Sequence, residues 1–107
     1  MGGLLPDGTL GMHRQTLKLL PGAEGDVVAY RGLAIISNSI SNGNAIINVN
    51  GQNGSAIGIT VVSKTTGSMS FDGLGEYLNI SNKNQGLINI KNNTVSNAWV
   101  YFLNIIF

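Results

Sequence analysis

The 107-residue chain carries six basic and five acidic side chains, so its formal net charge is only +1. The basic residues are scattered, and so weak a field attracts neither nucleic acid nor an anionic membrane; we expect neither partner. Without cysteine and with one histidine, a disulfide framework and a thiolate zinc site are excluded. A single domain of this length has a marginal core, which association with further copies would stabilise.

The first 26 residues contain both prolines and the histidine, and we interpret them as an extended N-terminal arm before a β domain at residues 27–107. Residues 15–20 predict a short strand that ends at a turn formed by Pro21 and Gly22. Residues 1–6 lack the basic start and the long apolar run of a signal peptide, so we expect synthesis in a cytoplasm. Because the arm contains many apolar side chains, we expect it to dock onto a neighbouring subunit and not to fray. The predicted interface residues are Leu4, Leu5, Leu10, Met12, Leu17 and Leu19.

The middle of the chain predicts strands that are covered on both faces. Residues 27–36 indicate one long strand bent near Gly32. Residues 45–50 and 56–63 predict a hairpin, with a glycine- and asparagine-rich connection at 51–54. No charged residue occurs between Gly32 and Ser63. Small polar groups alternate there with Ile, Val and Ala, a pattern that suits a sheet whose second face also meets protein.

The last third continues the pattern of strand and turn. Strands are predicted at residues 68–71, 76–81, 87–91 and 98–106, with a turn at Asp72 and Gly73. Seven or eight strands at a spacing of roughly 8–12 residues, without helical periodicity, are typical of all-β folds. We predict a single antiparallel β-sandwich or jelly-roll-like domain.

The final strand holds the most apolar sequence of the chain. Trp99, Tyr101, Leu103, Ile105 and Phe107 occupy alternate positions. Membrane-spanning strands alternate in a similar way, but ten residues of this pattern are too few to predict a membrane protein. We interpret the set as a core strand that carries the largest side chains of the domain, with Trp99 buried.

Asparagine recurs in the middle of predicted strands, at Asn48, Asn79 and Asn89. Because asparagine is a poor strand former, its amide needs a hydrogen-bond partner there. Water on the polar outer face of a sheet would supply one. Stacked amides in a β-solenoid or an intertwined trimer are the alternative.

The chain offers little for catalysis, and we predict no catalytic, cofactor or metal site. Asp72 and Glu76 flank glycines and are interpreted as exposed turn acids rather than a catalytic pair. With Asn79 they form an alternative set of oxygen ligands for calcium. His13 lies in the predicted arm and is interpreted as a solvated or interface residue. Exposed tyrosines can stack on sugars, so Tyr30 and Tyr77 are candidate glycan contacts.

In overall texture the chain resembles small all-β structural proteins of tailed bacteriophage particles, of the decoration, head-fibre, tail-fibre and baseplate types. That resemblance implies a symmetric homo-oligomer, with a trimer favoured, attached through the arm to other particle proteins in a virion. The predicted function is therefore a non-enzymatic structural and assembly role without a cofactor. The alternative is a carbohydrate- or receptor-binding β domain.

Overall fold

The computed structural model describes residues 11–40, 47–50, 58–63, 71–74, 76–81 and 85–107. These residues form nine β-strands and no helix, which confirms the predicted all-β class. In this described part the strands make a five-stranded sheet in the order β1-β9-β3-β7-β6 and a four-stranded sheet in the order β2-β8-β5-β4. The strands are β1 (Gly11–Leu19), β2 (Glu24–Ala29), β3 (Gly32–Asn38), β4 (Ile47–Val49), β5 (Ile59–Ser63), β6 (Phe71–Leu74), β7 (Tyr77–Ile80), β8 (Gly86–Asn92) and β9 (Ala98–Ile106).

The hydrophobic core lies between the two sheets. Successive side chains of a strand point to opposite faces, so one residue in two reaches the core. Phe102 and Ile36 from the five-stranded sheet are almost fully buried, as are Val61 and Ile90 from the four-stranded sheet. The two sheets share one core cluster, an arrangement compatible with a β-sandwich. The described residues contain no helix of the length and apolarity that a membrane span requires.

The N-terminal region is part of this structure from Gly11 onward. β1 pairs with β9 over its whole length, from Gly11 opposite Ile106 to Leu19 opposite Ala98. The arm predicted for residues 1–26 is therefore corrected, because residues 11–19 and 24–26 belong to strands. The alternation of apolar and polar side chains in β1 needs a neighbouring strand, and the chain's own β9 provides it. Residues 1–10 lie outside the described part of the chain.

The turn predicted at Pro21 and Gly22 is confirmed. The backbone N–H of Ala23 donates to the carbonyl of Leu20 over 2.9 Å. Gly22 has a φ of 79°, and proline followed by a glycine with positive φ is the signature of a type II turn. This turn carries the chain from β1 in one sheet to β2 in the other.

The long strand predicted for residues 27–36 is instead two strands in different sheets. The chain leaves β2 at Ala29 and begins β3 at Gly32, which has a φ of 144°. A Cβ atom at Gly32 would collide with the carbonyl oxygen of Ile105 in β9. Glycine is thus required at the crossing, both for its backbone conformation and for the close approach of a neighbouring strand.

A buried asparagine fastens this crossing. Asn104 in β9 is fully buried. Its Oδ1 accepts from the N–H of Tyr30 over 2.7 Å, and its Nδ2 donates to the carbonyls of Tyr30 and Leu33, each over 3.3 Å. The side chain thereby bonds the N–H and the carbonyl of Tyr30, which lies between the two strands, and the carbonyl of Leu33 at the start of β3.

The hairpin predicted for residues 45–63 is not formed. β4 and β5 are parallel neighbours, with Ile47 opposite Ile59 and Val49 opposite Val61. β5 is antiparallel to β8 on its other side. A tight turn joins only antiparallel neighbours. Because β4 and β5 run in the same direction, β5 begins at the same end of the sheet as β4. Glycine and asparagine suit either connection, and only the pairing distinguishes them.

The last third follows the prediction more closely. β7, β8 and β9 match predicted strands, and β9 has the predicted bounds of 98–106. Asp72 and Gly73, predicted as a turn, lie instead in β6, where Gly73 pairs with Leu78. Of the strand predicted at 68–71, only Phe71 lies within the described residues, and it begins β6.

The recurrent asparagines do not share one environment. Asn79 is exposed, as a polar outer face predicts, but Asn48 and Asn89 are buried. The amide nitrogen of Asn89 donates to the carboxylates of Glu24 and Asp26 over 3.2 and 3.0 Å. The expectation of a uniformly water-facing row of amides is therefore corrected.

Candidate functional site

The C-terminal strand directs its aromatic residues away from the core. In β9, Val100, Phe102 and Asn104 point inward, whereas Trp99 and Tyr101 are 45% and 42% exposed. The aromatic set that was predicted to face the core therefore faces outward, and the predicted burial of Trp99 is wrong. Both sets of alternate positions in β9 are rich in apolar residues, so its sequence alone did not determine which set meets the second sheet.

Neighbouring strands extend this surface. The outward positions of β3 and β7 align with those of β9: Leu33 is opposite Ile105, Ile35 is opposite Leu103, and Tyr77 is opposite Ile35. Met12 in β1 is opposite Ile105 on the other side. We call this outer surface of the five-stranded sheet the apolar face. Its apolar residues are Met12, Leu33, Ile35, Tyr77, Trp99, Tyr101, Leu103 and Ile105, and the polar Thr16, Ser37 and Asn79 lie beside them.

On this surface, the charged residues of the described chain stand along the borders of the apolar face. Arg14 and Lys18 are exposed on β1 at one edge. The Lys18 ammonium lies 5.6 Å from the centroid of the Trp99 ring, a cation–π arrangement. At the opposite edge, Asp72 belongs to β6 and the exposed Glu76 directly precedes β7. One border is basic, and Glu76 stands at the other.

A shallow cavity of about 280 Å³ opens on the apolar face. It is mainly apolar; its lining includes Tyr101, Leu103 and Ile35, while Thr16 and Arg14 stand on the side of β1. A depression of this kind could receive an apolar side chain from a partner.

The predicted interface residues separate into three groups. Met12 is 58% exposed and belongs to the apolar face. Leu17 is half-buried and packs against the core, and Leu19 lies in the core at 4% exposure. The prediction of Leu19 as an interface residue is corrected, because its side chain is used within the chain's own fold. Leu4, Leu5 and Leu10 lie outside the described residues.

The two tyrosines predicted as glycan contacts have different surroundings. Tyr77 is 54% exposed on the apolar face. Tyr30 is half-buried beside the crossing between the sheets. The rings of Tyr30 and His13 meet edge to face, with their centroids 5.3 Å apart. Tyr77 therefore presents its ring to solvent, whereas part of the Tyr30 ring is occupied within the protein.

His13 takes part in a small cluster at the edge of the two sheets. Its Nε2 lies 2.9 Å from the Oε1 of Gln15, and the same oxygen accepts from the backbone N–H of Val28 over 2.8 Å. Gln15 thereby covers a donor of β2 that faces away from β8. We assign this cluster a structural role, in place of the solvated or interface histidine that the sequence suggested.

The acidic residues considered for catalysis or calcium binding lie at different ends of the β6–β7 pair. Asp72 is the register partner of Asn79, and Glu76 precedes the strand that contains Asn79. Within the described part of the chain, no group of three or more histidine and acidic side chains is placed to hold a metal ion.

Comparison with known proteins does not assign this chain to a family. No protein-family model matches it, and no curated protein or solved structure is significantly similar to it. The geometry of the apolar face is therefore the basis for assigning a function.

Most of the apolar face was not predicted from the sequence. The surface to be covered by partners was expected within residues 32–63 and in the N-terminal segment, whereas β9 supplies half of the face. The signal was present in β9, where the inward set and the outward set are both apolar. A strand that is apolar on both sides has a second partner to meet.

Proposed function

We propose that this chain is a non-enzymatic structural protein that oligomerises and forms part of a larger particle. The observation that carries the proposal is the apolar face, on which eight apolar side chains from four strands adjoin without a charged residue of the described chain between them. Monomeric proteins rarely expose a continuous apolar patch of more than a few hundred Å², and larger patches mark interaction sites.

The rest of the fold agrees with a building block. The two packed sheets are compatible with the proposed β-sandwich or jelly-roll class, in which one surface of each sheet faces away from the core. Attachment to other particle proteins is assigned to residues 1–10, with Leu4, Leu5 and Leu10 as the contacts.

A virion is the proposed setting, following the resemblance to small all-β phage proteins. In that setting the protein is made in the host cytoplasm and packs among identical copies. Sparse charge, which leaves a free protein prone to self-association, is harmless in a particle where every copy has a fixed neighbour.

Size-exclusion chromatography with light scattering tests the proposal, together with electron microscopy of the same fractions. The full chain should elute as an oligomer or as larger regular assemblies over a wide range of concentration. A compact monomer at every concentration would overturn the proposal.

A carbohydrate- or receptor-binding role is the second candidate, and the exposure of Tyr77, Trp99 and Tyr101 on one surface favours it. A glycan array would test it. Specific binding that is lost in Tyr77→Ala and retained in Tyr30→Ala would make glycan recognition the primary function, because Tyr77 presents a more exposed ring than Tyr30.

A further inference from the structure

We infer that the apolar face binds the same face of a second copy, with a two-fold axis parallel to β3. This inference rests on the proposed oligomeric function and specifies its interface. β3 is the middle strand of the five-stranded sheet, so an axis along it places β9 of one copy over β7 of the other and β1 over β6. The nine-residue β1 and β9 extend beyond the four-residue β6 and β7 that they face.

The size of the overlap fits a weak dimer. Five strands at about 4.8 Å spacing are roughly 24 Å wide, and the lengths that overlap, set by the short β6 and β7 and by β3 on itself, average roughly 16 Å. Two such surfaces bury roughly 750 Å² in total, an area typical of weak interfaces. Packing of two sheets at about 10 Å is also the geometry by which a β-sandwich forms its own core.

The charges at the borders select the direction of the axis. One register row crosses the whole sheet through Arg14, Leu103, Ile35, Tyr77 and Leu74. An axis along β3 reverses this row, so that Arg14 lies over the position of Leu74 in the second copy, in the border where Glu76 stands. An axis across the strands would instead place β1 over β1 and bring the basic borders together, which is unfavourable.

The apolar contacts agree with the same axis. Leu103 of one copy then lies over Tyr77 of the other, and Ile35 lies over its own counterpart. This two-fold contact is self-complementary and closes at two copies, so it leads to even-numbered assemblies in place of the trimer suggested by the resemblance to phage proteins.

Single-cysteine cross-linking tests the geometry, because the natural chain contains no cysteine. Leu33→Cys and Ser37→Cys would each be treated with a short bismaleimide linker. An axis along β3 brings each position close to its own counterpart, so both variants should form covalent dimers in high yield. Val95→Cys, at a loop position with 95% exposure, is the matched control for collisional linking.

Each outcome decides the inference. Efficient linking of both β3 variants, with little linking of Val95→Cys, supports it. Linking of neither variant, or equal linking of all three, overturns the face-to-face dimer while the oligomeric function stands if light scattering still shows an oligomer. A purely monomeric wild-type chain overturns both. Circular dichroism of each variant shows whether the fold is retained, and Ser37→Cys changes an exposed side chain only.

Charge reversal tests the axis independently. Arg14→Glu and Glu76→Arg should each raise the dissociation constant of the dimer by about tenfold at low salt. Combining both substitutions in one chain should restore the wild-type value, since the carboxylate introduced in β1 then faces the guanidinium introduced before β7 of the other copy. If the double variant is weaker than either single variant, the axis is wrong.

Discussion

Asn104 is the side chain on which the crossing between the two sheets depends. Asn104→Ala leaves one backbone N–H and two carbonyls near the core without their partner. We expect the free energy of unfolding to fall by about 2–4 kcal/mol in urea denaturation. Asn97→Ala is the control at an exposed position and should cost less than about 0.5 kcal/mol. Equal effects would show that Asn104 does not fasten the crossing.

Gly22 and Gly32 distinguish two requirements for glycine: a positive φ at both positions, and the close approach of a neighbouring strand at Gly32 only. Both have positive φ, but a Cβ at Gly32 collides with the backbone of Ile105, whereas nothing lies within 4 Å of one at Gly22. Gly22→Ala should lower the free energy of unfolding by about 1 kcal/mol, the conformational cost alone. Gly32→Ala should cost at least about 2 kcal/mol more, because β9 has to shift. Thermal and urea unfolding measure both. A similar loss in the two variants would contradict the collision.

Among the strands, the side-chain orientation of β9 has the largest consequences, because one side packs in the core and the other forms half of the apolar face. Phe102 points into the core and Tyr101 points outward. Phe102→Ala should reduce the free energy of unfolding by about 3–5 kcal/mol. Tyr101→Ala should cost less than about 1 kcal/mol when unfolding is measured in dilute protein, where the dimer contributes nothing. The reverse order would mean that the aromatic set faces the core, as the sequence first suggested.

The elements also show where sequence reasoning succeeded and failed. β7, β8, β9 and the turn at Pro21 and Gly22 were predictable, because period-two alternation and turn residues are local signals. The parallel pairing of β4 with β5 was not, because a connection rich in glycine permits either a hairpin or a return. Asn104 was not singled out either, since its partners are 71 to 74 residues away along the chain.

For the whole molecule, folding and association should be coupled. Because only the folded chain presents the apolar face, the midpoint of thermal unfolding should rise with protein concentration. Leu103→Arg places a charge in the centre of that face and should abolish the concentration dependence with little effect on the midpoint in dilute protein. Differential scanning calorimetry over a dilution series measures this. A wild-type midpoint independent of concentration would contradict the proposed oligomer.

The sequence by itself determined the all-β class, most strand positions in the last third and the scarcity of charge that favours association. These follow from local alternation, turn residues and composition. Only the tertiary structure decided that residues 11–19 belong to a sheet and that Trp99 and Tyr101 face outward. The physical reason is that a strand's neighbours and its buried side are set by partners distant in the chain, and β9 is apolar enough on both sides to satisfy either orientation.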